Sequence, residues 1–267
     1  MSTSTPLDLT GLLATAKDDE FLSLSTLDTI NSVGLSTIQN NFGITVDNFG
    51  GSNECLLIGV IIDDSSSIRE IPNGEQLICD GQQMFIDELM KHQARRDILV
   101  CQQLLNHTRP LHPFVELSDI IPLENGRNYE ANGNTKLYEK SCEMLSTMIL
   151  KAKVEFMQAG FLTRIIFVVI TDGEDCGSKR EFTADKVKEL VTEIGNESLL
   201  FYFIGIEGNQ RVDFRRIADE MGALHILTPS SNPQEIAAAF RSVSKSVSSA
   251  AMSGASFTKA ASNPLLD

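Results

Sequence analysis

The pattern of apolar residues divides the chain into alternating strands and helices from about residue 54 onward. Two segments, 56–62 with LLIGVII and 164–171 with IIFVVI, are continuous apolar runs, typical of parallel strands that are buried on both faces. Further apolar runs predict strands at 98–105, 199–206 and 225–227, and a weaker edge strand at 114–120.

Apolar residues at helical spacing predict the helices that connect these strands. From Tyr138 to Phe156 they recur at steps of three and four residues, which places them on one face of a helix. The same spacing predicts helices at 74–95, 187–194, 214–221 and 236–247. This alternation is typical of a doubly wound α/β fold with a six-stranded, mostly parallel sheet flanked by helices.

The two ends of the chain differ in composition from the region at 54–247. Residues 1–53 are rich in Ser, Thr, Asn, Asp and Gly, and Leu24, Leu27 and Ile30 form one short amphipathic pattern. This N-terminal segment is predicted either to be a partly ordered extension that packs on the main domain or to dock a partner. The small and polar residues of 248–267 predict a flexible C-terminal tail.

The charge of the chain limits the partners that it is expected to bind. Its 267 residues include 22 Lys and Arg against 36 Asp and Glu, a formal net charge of −14. An acidic chain repels phosphate groups, so neither nucleic acid nor a membrane surface is expected as a partner. No run approaches the ~20 apolar residues of a membrane-spanning helix, and the N-terminus does not resemble a secretory signal. Five scattered cysteines without a C-x-x-C pair indicate reduced thiols and a cytoplasmic location.

Three short polar segments follow predicted strands or precede a predicted helix. Asp63, Ser65 and Ser67 form D-x-S-x-S directly after the first buried strand. Thr135 lies in a glycine-containing loop before the long helix, and Asp172 follows the other fully apolar strand. Ligands of open α/β sheets bind outside the carboxyl ends of the strands. Because carboxylate and hydroxyl oxygens suit a hard cation, we expect these side chains to bind Mg²⁺, with Ca²⁺ or Mn²⁺ as alternatives.

These segments resemble the metal-ion-dependent adhesion site of von Willebrand factor type A domains, and the resemblance covers about residues 54–247. The family's site consists of D-x-S-x-S, a Thr in a following loop and an Asp after the fourth strand. Its five positions are filled here by Asp63, Ser65, Ser67, Thr135 and Asp172. The resemblance implies a Rossmann-like fold in which the strands before Asp63 and Asp172 are neighbours. Ser66 and Lys136 stand where many members have Gly and Pro, and neither change removes a ligand.

The resemblance implies a protein-binding module and not an enzyme. If the neutral hydroxyls bind the metal directly and one or both aspartates act through water, the metal keeps more of its positive charge, and its open position attracts a Glu or Asp side chain of a protein partner. No nucleophile–base pair, phosphate-binding loop or G-x-S-x-G motif is evident in the sequence. The Ser-rich stretch after Phe240 resembles bacterial intracellular type A proteins associated with tellurite resistance, which implies a component of a multiprotein stress, signalling or defence system.

Two alternatives to this interpretation stay open. Acidic residues after β-strands also carry Mg²⁺-dependent phosphoryl chemistry, so one alternative is a phosphohydrolase. In the haloacid-dehalogenase pattern the strand ends in D-x-D, and Ser65 replaces the second Asp, which disfavours an aspartyl-phosphate intermediate. The other alternative is a structural subunit or adaptor, like the type A proteins that work beside MoxR-type AAA+ ATPases. The sequence names neither the partner nor the oligomeric state.

Several polar residues near the motifs are interpreted as having no part in the metal site. Asp64, Glu174 and Asp175 are expected to be solvated loop acids, and Cys176 an inert thiol. The four histidines are expected at the surface or in loops, because their spacing fits no metal motif. A small solvated basic cluster is expected from Arg211, Arg215 and Arg216.

Overall fold

A computed structural model describes residues 8–18, 21–91, 95–195, 197–208 and 211–250 of the chain. Its strands are β1 (Glu54–Ile62), β2 (Ile98–Leu104), β3 (His112–Glu116), β4 (Leu162–Thr171), β5 (Leu199–Gly205) and β6 (His225–Leu227). They form one sheet in the order β3-β2-β1-β4-β5-β6, and every neighbouring pair is parallel except β2–β3. The predicted α/β fold with a six-stranded, mostly parallel sheet is confirmed.

The described residues also contain eight α-helices, none of which is both long and apolar enough to cross a membrane. They are α1 (Leu9–Asp18), α2 (Leu24–Val33), α3 (Leu35–Phe42), α4 (Gly74–Met90), α5 (Leu137–Ile149), α6 (Ala184–Ile194), α7 (Phe214–Met221) and α8 (Pro233–Ala250). A π-helix over Leu150–Phe156 continues α5. The predicted helix at 74–95 ends at Met90. The predicted edge strand at 114–120 is shifted, because the chain turns into a short 3₁₀-helix at Leu117–Asp119.

Helices cover both faces of the sheet. Helices α4 and α8 pack on one face, and α5, α6 and α7 pack on the other. Helix α5 lies directly on β1 at Gly59, where an added Cβ would come within 2.7 Å of Met148 Sδ and 2.8 Å of Met144 Cγ. Because the central strands β1 and β4 are enclosed on both sides, nearly every residue in them is buried, as their continuous apolar runs predicted.

The three N-terminal helices share the core on the α5 face. Ile30, Ile38 and Phe42 are completely buried and belong to that apolar cluster. Glu193, in α6, accepts hydrogen bonds from Ser23 N and Thr26 Oγ1, both at 3.1 Å, and so fixes the start of α2. The predicted short helix near residues 24–30 is confirmed as α2. The domain boundary at residue 53 and a docking role for the N-terminal segment stay predictions, and residues 251–267 of the predicted tail lie outside the described residues.

Strands β1 and β4 are neighbours at the centre of the sheet, as the resemblance implied. From this pair the strand order runs outward in opposite directions, so the loops that follow β1 and β4 separate and leave a crevice between them. Ile62 of β1 pairs with Ile170 of β4. The residues that come after these two strands therefore emerge side by side at the carboxyl edge of the sheet.

Candidate metal centre

The two predicted aspartates meet at the carboxyl ends of β1 and β4. Asp63 N donates to Ile170 O at 2.9 Å, so the sheet pairing continues one residue beyond β1. The Asp63 carboxylate is fully buried and held on both sides: Oδ1 accepts from Ser65 N at 2.7 Å and Oδ2 from Thr171 Oγ1 at 2.5 Å. Asp172, the next residue after β4, is also buried. The chain itself thus fixes the orientation of Asp63.

The two serine hydroxyls join these aspartates. Ser65 has extended backbone, and the short 3₁₀-helix at Ser66–Glu70 begins immediately after it. This turn brings Ser67 Oγ to 3.0 Å from Ser65 Oγ, and Ser67 Oγ donates to Asp172 Oδ1 at 2.8 Å. Four of the five predicted site residues therefore form one hydrogen-bonded cluster.

Thr135 comes from a separate loop and is buried beside the same cluster. Its carbonyl oxygen accepts hydrogen bonds from Cys176 N and Gly177 N, both at 3.0 Å. A Cβ added to Gly173 would lie 3.5 Å from Thr135 Oγ1, so the hydroxyl faces the backbone next to Asp172. All five predicted side chains thus lie at one end of the sheet.

Burial governs the ionisation of the two aspartates. Burial raises the pKa of Asp63. The hydrogen bonds from Ser65 and Thr171 lower this pKa, but the effect of burial is larger. Burial first, and then the nearby charge of Asp63, raise the pKa of Asp172 to about 7. Neither aspartate forms an ion pair with a Lys or Arg of the described residues, and two buried carboxylates without a counter-charge are costly to ionise.

The donor set fits a hard divalent cation. Within the described part of the chain, no group of three or more His, Cys, Asp and Glu side chains is arranged to hold a metal ion. A metal at this point would therefore use hydroxyls together with the two carboxylates. Oxygen-only ligands of this kind are those of Mg²⁺, Ca²⁺ and Mn²⁺, and the positive charge would offset the burial of Asp63 and Asp172.

Two residues that support the centre were missed by sequence reasoning. Thr171 donates to Asp63 Oδ2, and the fully buried Tyr129 donates through its hydroxyl to Asp63 O at 2.6 Å. In the sequence, Thr171 is only the last residue of an apolar strand, and Tyr129 belongs to none of the three polar segments. Their roles depend on strand pairing and loop packing, which no local pattern reports.

The expectation that Asp64 is a solvated acid is wrong. Only 1% of this residue is exposed. Its Oδ1 accepts hydrogen bonds from Asn106 N at 2.9 Å and Asn106 Nδ2 at 3.1 Å, and its Oδ2 lies 3.5 Å from His107 Nε2. Burial raises the pKa of Asp64. Asn106 lies in the loop after β2, and only the order of the strands reveals that this loop is adjacent to the loop of Asp64.

Glu174 and Asp175 both have partners. Asp175 Oδ1 accepts from Tyr138 N at 3.2 Å, at the start of α5, and from Ser178 Oγ. Glu174 is exposed, and its carboxylate pairs with Arg216 at 2.9 Å. Arg216 is half-exposed and also pairs with Glu220, so this member of the predicted basic cluster ties α7 to the loop after β4.

The surface positions predicted for the histidines are wrong for two of the four. His112 and His225 are each 3% exposed, and burial lowers the pKa of both. His225 stacks on Tyr202 with ring centroids 4.6 Å apart. His107 is exposed as predicted, and His92 lies outside the described residues. The inertness of the exposed Cys176 thiol stays a prediction.

Comparison with known proteins identifies the fold. The chain matches no protein-family model and no curated protein. A crystal form of the pilus adhesin SpaC from Lactobacillus rhamnosus GG aligns with a TM-score of 0.51 at 10% identity, over 74% of this chain and 31% of the adhesin. The SpRpn10 VWA domain aligns with a TM-score of 0.45 at 10% identity, over 70% of this chain and 95% of that domain. A von Willebrand factor type A protein from Catenulispora acidiphila aligns with a TM-score of 0.48 at 16% identity, over 73% of this chain and 43% of that protein.

The structural neighbours are von Willebrand factor type A domains. At these identities the likeness to type A domains concerns the fold alone. The chain spans less than half of the length of the adhesin and of the Catenulispora protein.

Proposed function

We propose that this chain is a metal-dependent protein-binding module. In this proposal a Mg²⁺ ion, or Ca²⁺ or Mn²⁺ in its place, is held by Asp63, Ser65, Ser67, Thr135 and Asp172, and captures a Glu or Asp side chain of a protein partner. The observation that carries the proposal is the hydrogen-bonded cluster of Asp63, Ser65, Ser67 and Asp172 at the central crevice of the sheet, with the buried Thr135 hydroxyl facing the backbone next to Asp172.

Each residue has a distinct part in this mechanism. Bound Mg²⁺ supplies positive charge and an open coordination position. Asp63 is held by Ser65 N and Thr171 Oγ1, so its carboxylate is oriented before the metal arrives. Ser67 holds Asp172 in turn. Because the serines and Thr135 carry no charge, an ion that one or both aspartates hold through water would keep positive character and would attract an acidic side chain to an otherwise acidic protein.

The geometry of Asp63 favours binding over phosphoryl transfer. Each oxygen of its carboxylate accepts a hydrogen bond, and the side chain is fully buried. A carboxylate enclosed in this way is poorly exposed to a phosphate ester. We therefore assign no catalytic step to the centre, and turnover of a generic phosphate ester that Asp63→Ala abolishes would overturn this assignment.

We also propose an intracellular setting for the module. The chain's cysteines are all free thiols, and four of them are buried, as suits a reducing compartment. The sequence resemblance to bacterial type A proteins supports a place in a multiprotein stress, signalling or defence system. A structural subunit or adaptor beside a MoxR-type AAA+ ATPase is a separate alternative, in which a metal would only brace the loops and partner capture would not depend on it.

Metal titration and partner capture together test the function. Calorimetry with MgCl₂ is expected to show one site in the full chain and a loss of at least about tenfold in affinity in Thr135→Ala, because one ligand is removed. Thr192→Ala is the matched control, since that hydroxyl donates to Lys188 O in α6.

Capture of a partner from the native host is expected to require Mg²⁺. Flat titrations with Mg²⁺, Ca²⁺ and Mn²⁺, or capture that persists in EDTA, would contradict the proposal.

A further inference from the structure

A short stretch of the N-terminal segment lies against β3, the strand at one edge of the sheet. Gly43 approaches Phe114 so closely that an added Cβ would come within 2.1 Å of Phe114 O, and its φ of +63° favours glycine. Ile44 N then donates to the same Phe114 O at 2.8 Å. Residues 43–46, named here the strap, therefore occupy a backbone acceptor that an uncovered edge strand would offer to another chain.

A buried ion pair of the π-helix holds the strap by its backbone. Lys151 is completely buried, and its ammonium group donates to Ile44 O and, at 3.3 Å, to Glu155 Oε2. Glu155 Oε1 in turn accepts from Val46 N at 3.0 Å. Each member of the pair thus binds one backbone group of the strap.

The charges of this pair depend on the strap for part of their compensation. The ammonium group of Lys151 lies 4.3 Å from the ring centroid of Phe42, directly before the strap, and 5.0 Å from that of Phe156. Departure of the strap would take Ile44 O from the ammonium group and Val46 N from the carboxylate. Because buried charges are costly without partners, the pair opposes movement of the strap away from β3.

A general gain in stability does not explain a buried pair in this position. Apolar side chains of similar size often stabilise a fold as well as a buried ion pair does, and in some proteins buried polar groups instead select one arrangement of the chain. A second buried pair on α5, Lys140 and Glu143 at 2.7 Å, offers a comparison. There Glu143 also accepts from Gln103 of β2 at 2.6 Å, so that pair joins α5 to the sheet.

We propose that the strap shuts the β3 edge against pairing with a second copy of this chain, and that the Lys151–Glu155 pair is the clasp that keeps the strap in place. Once the strap is released, Phe114 O becomes available to the same edge of another molecule, since uncovered edge strands are templates for pairing. This role does not involve the candidate metal centre, because the pair follows the end of α5 whereas Thr135 precedes its start.

Amide exchange in the full chain, measured by NMR, tests the clasp. Lys151→Met and Glu155→Met are introduced together, so that neither charge is left buried alone. The reporter is the Ile44 amide, because the substitutions leave its acceptor, Phe114 O, in place. This amide is expected to exchange at least about tenfold faster than in the unmodified chain, since local opening governs its exchange.

The other buried pair provides the matched control. Lys140→Met with Glu143→Met makes the same chemical change on the same helix and is expected to leave Ile44 exchange within about twofold of the unmodified chain. Protection of Asp63 N, which donates to Ile170 O at the centre of the sheet, shows that each variant is folded.

Self-association tests the shielding of the edge. Gly43→Val is a second way to displace the strap, because the new side chain would collide with Phe114 O while the ion pair stays intact. Light scattering over a range of concentrations is expected to show a dimer dissociation constant at least about fivefold lower than that of the unmodified chain, both in this variant and in the one without the clasp.

The outcomes separate the clasp from the shielding. Unchanged Ile44 exchange after loss of the Lys151–Glu155 pair, or an equal increase in the matched control, overturns the clasp. Self-association of both strap variants that is no stronger than that of the unmodified chain overturns the shielding of the β3 edge.

Discussion

At the scale of single residues, one hydroxyl group links the two loops of the candidate centre. Ser66 Oγ accepts from Gly133 N at 3.0 Å and donates to Gly133 O at 3.2 Å. A Gly at this position, as in many type A domains, would keep only the backbone bond from residue 66 to Gly133 O. Ser66 therefore holds the loop of Thr135 against the loop of Ser65.

Removing this hydroxyl is expected to loosen the centre. Ser66→Ala should reduce Mg²⁺ affinity about tenfold, as expected for a residue that orients ligands, and should lower the free energy of unfolding by about 1 kcal/mol. Calorimetry and urea denaturation measure the two effects. Ser32→Ala, which removes a hydroxyl bonded to Asp28 O on α2, is the control. Unchanged metal affinity in Ser66→Ala would show that the loops are fixed by other bonds.

The raised pKa of Asp172 predicts how metal-free protein responds to pH. In the folded chain this pKa is about 7, against about 3.9 in an unfolded chain. The folded state thus binds the proton more tightly than the unfolded state does. The stabilisation that protonated Asp172 contributes is therefore complete below about pH 4, and it is lost as the pH rises through about 7. Denaturation in EDTA from pH 5 to pH 8 is expected to show this decline, and Asp172→Asn is expected to reduce it. An equal decline in both proteins would assign the effect to other groups.

The residue scale also shows what a sequence motif can and cannot predict. The five site residues were predicted because their types and spacing match one known pattern. Asp64 was misjudged, because its burial comes from Asn106, which follows a different strand. His225 was misjudged for a similar reason, since its ring stacks on Tyr202 of the neighbouring strand β5. Burial of a polar residue by a distant segment leaves no local signal.

At the scale of elements, the strands were easier to predict than the helices of the N-terminal segment. Strands β1 and β4 are apolar throughout because helices cover both faces, and that produces a strong pattern. Helices α1 and α3 do carry apolar residues at helical spacing, but over only 10 and 8 residues, which is a weaker signal than a continuous apolar strand. These apolar residues are Leu9, Leu12, Leu13 and Ala16 in α1, and Leu35, Ile38 and Phe42 in α3. The stability of both helices comes from packing on the α5 face, which cannot be read from their own residues.

Helix α3, in the N-terminal segment, packs into the core on the α5 face. Phe42 is fully buried, and the ammonium group of Lys151 lies 4.3 Å from its ring centroid. Phe42→Ala is expected to lower the free energy of unfolding by about 3–5 kcal/mol, from lost burial and a residual cavity. Phe21→Ala, at a side chain that is 44% exposed, is expected to cost much less. Equal, small effects in urea denaturation would favour a segment that serves only to dock a partner.

At the scale of the whole molecule, the proposed metal site is expected to make the stability of the fold depend on the metal. An ion that binds the folded chain alone stabilises it by about 2.7 kcal/mol at 100 times its Kd. In a chain of this size that corresponds to a rise in Tm of roughly 5–10 °C. Differential scanning calorimetry with MgCl₂ and with EDTA measures the shift, and Asp172→Asn is expected to show little of it. A full shift in that variant would place the stabilising ion elsewhere.

The tight contact at Gly59 has a consequence for how the centre can adjust to its ligand. Since α5 sits on β1 without a spacer, the helix that follows Thr135 has little freedom to slide along the strand. The loop of Asp172 has a softer anchor, the half-exposed pair of Glu174 and Arg216. The same loop is also bound to the start of α5, since Tyr138 N donates to Asp175 Oδ1 and both Cys176 N and Gly177 N donate to Thr135 O. Rearrangement upon metal binding is therefore expected where this loop meets α7, while the loops of Thr135 and Asp172 stay together on α5.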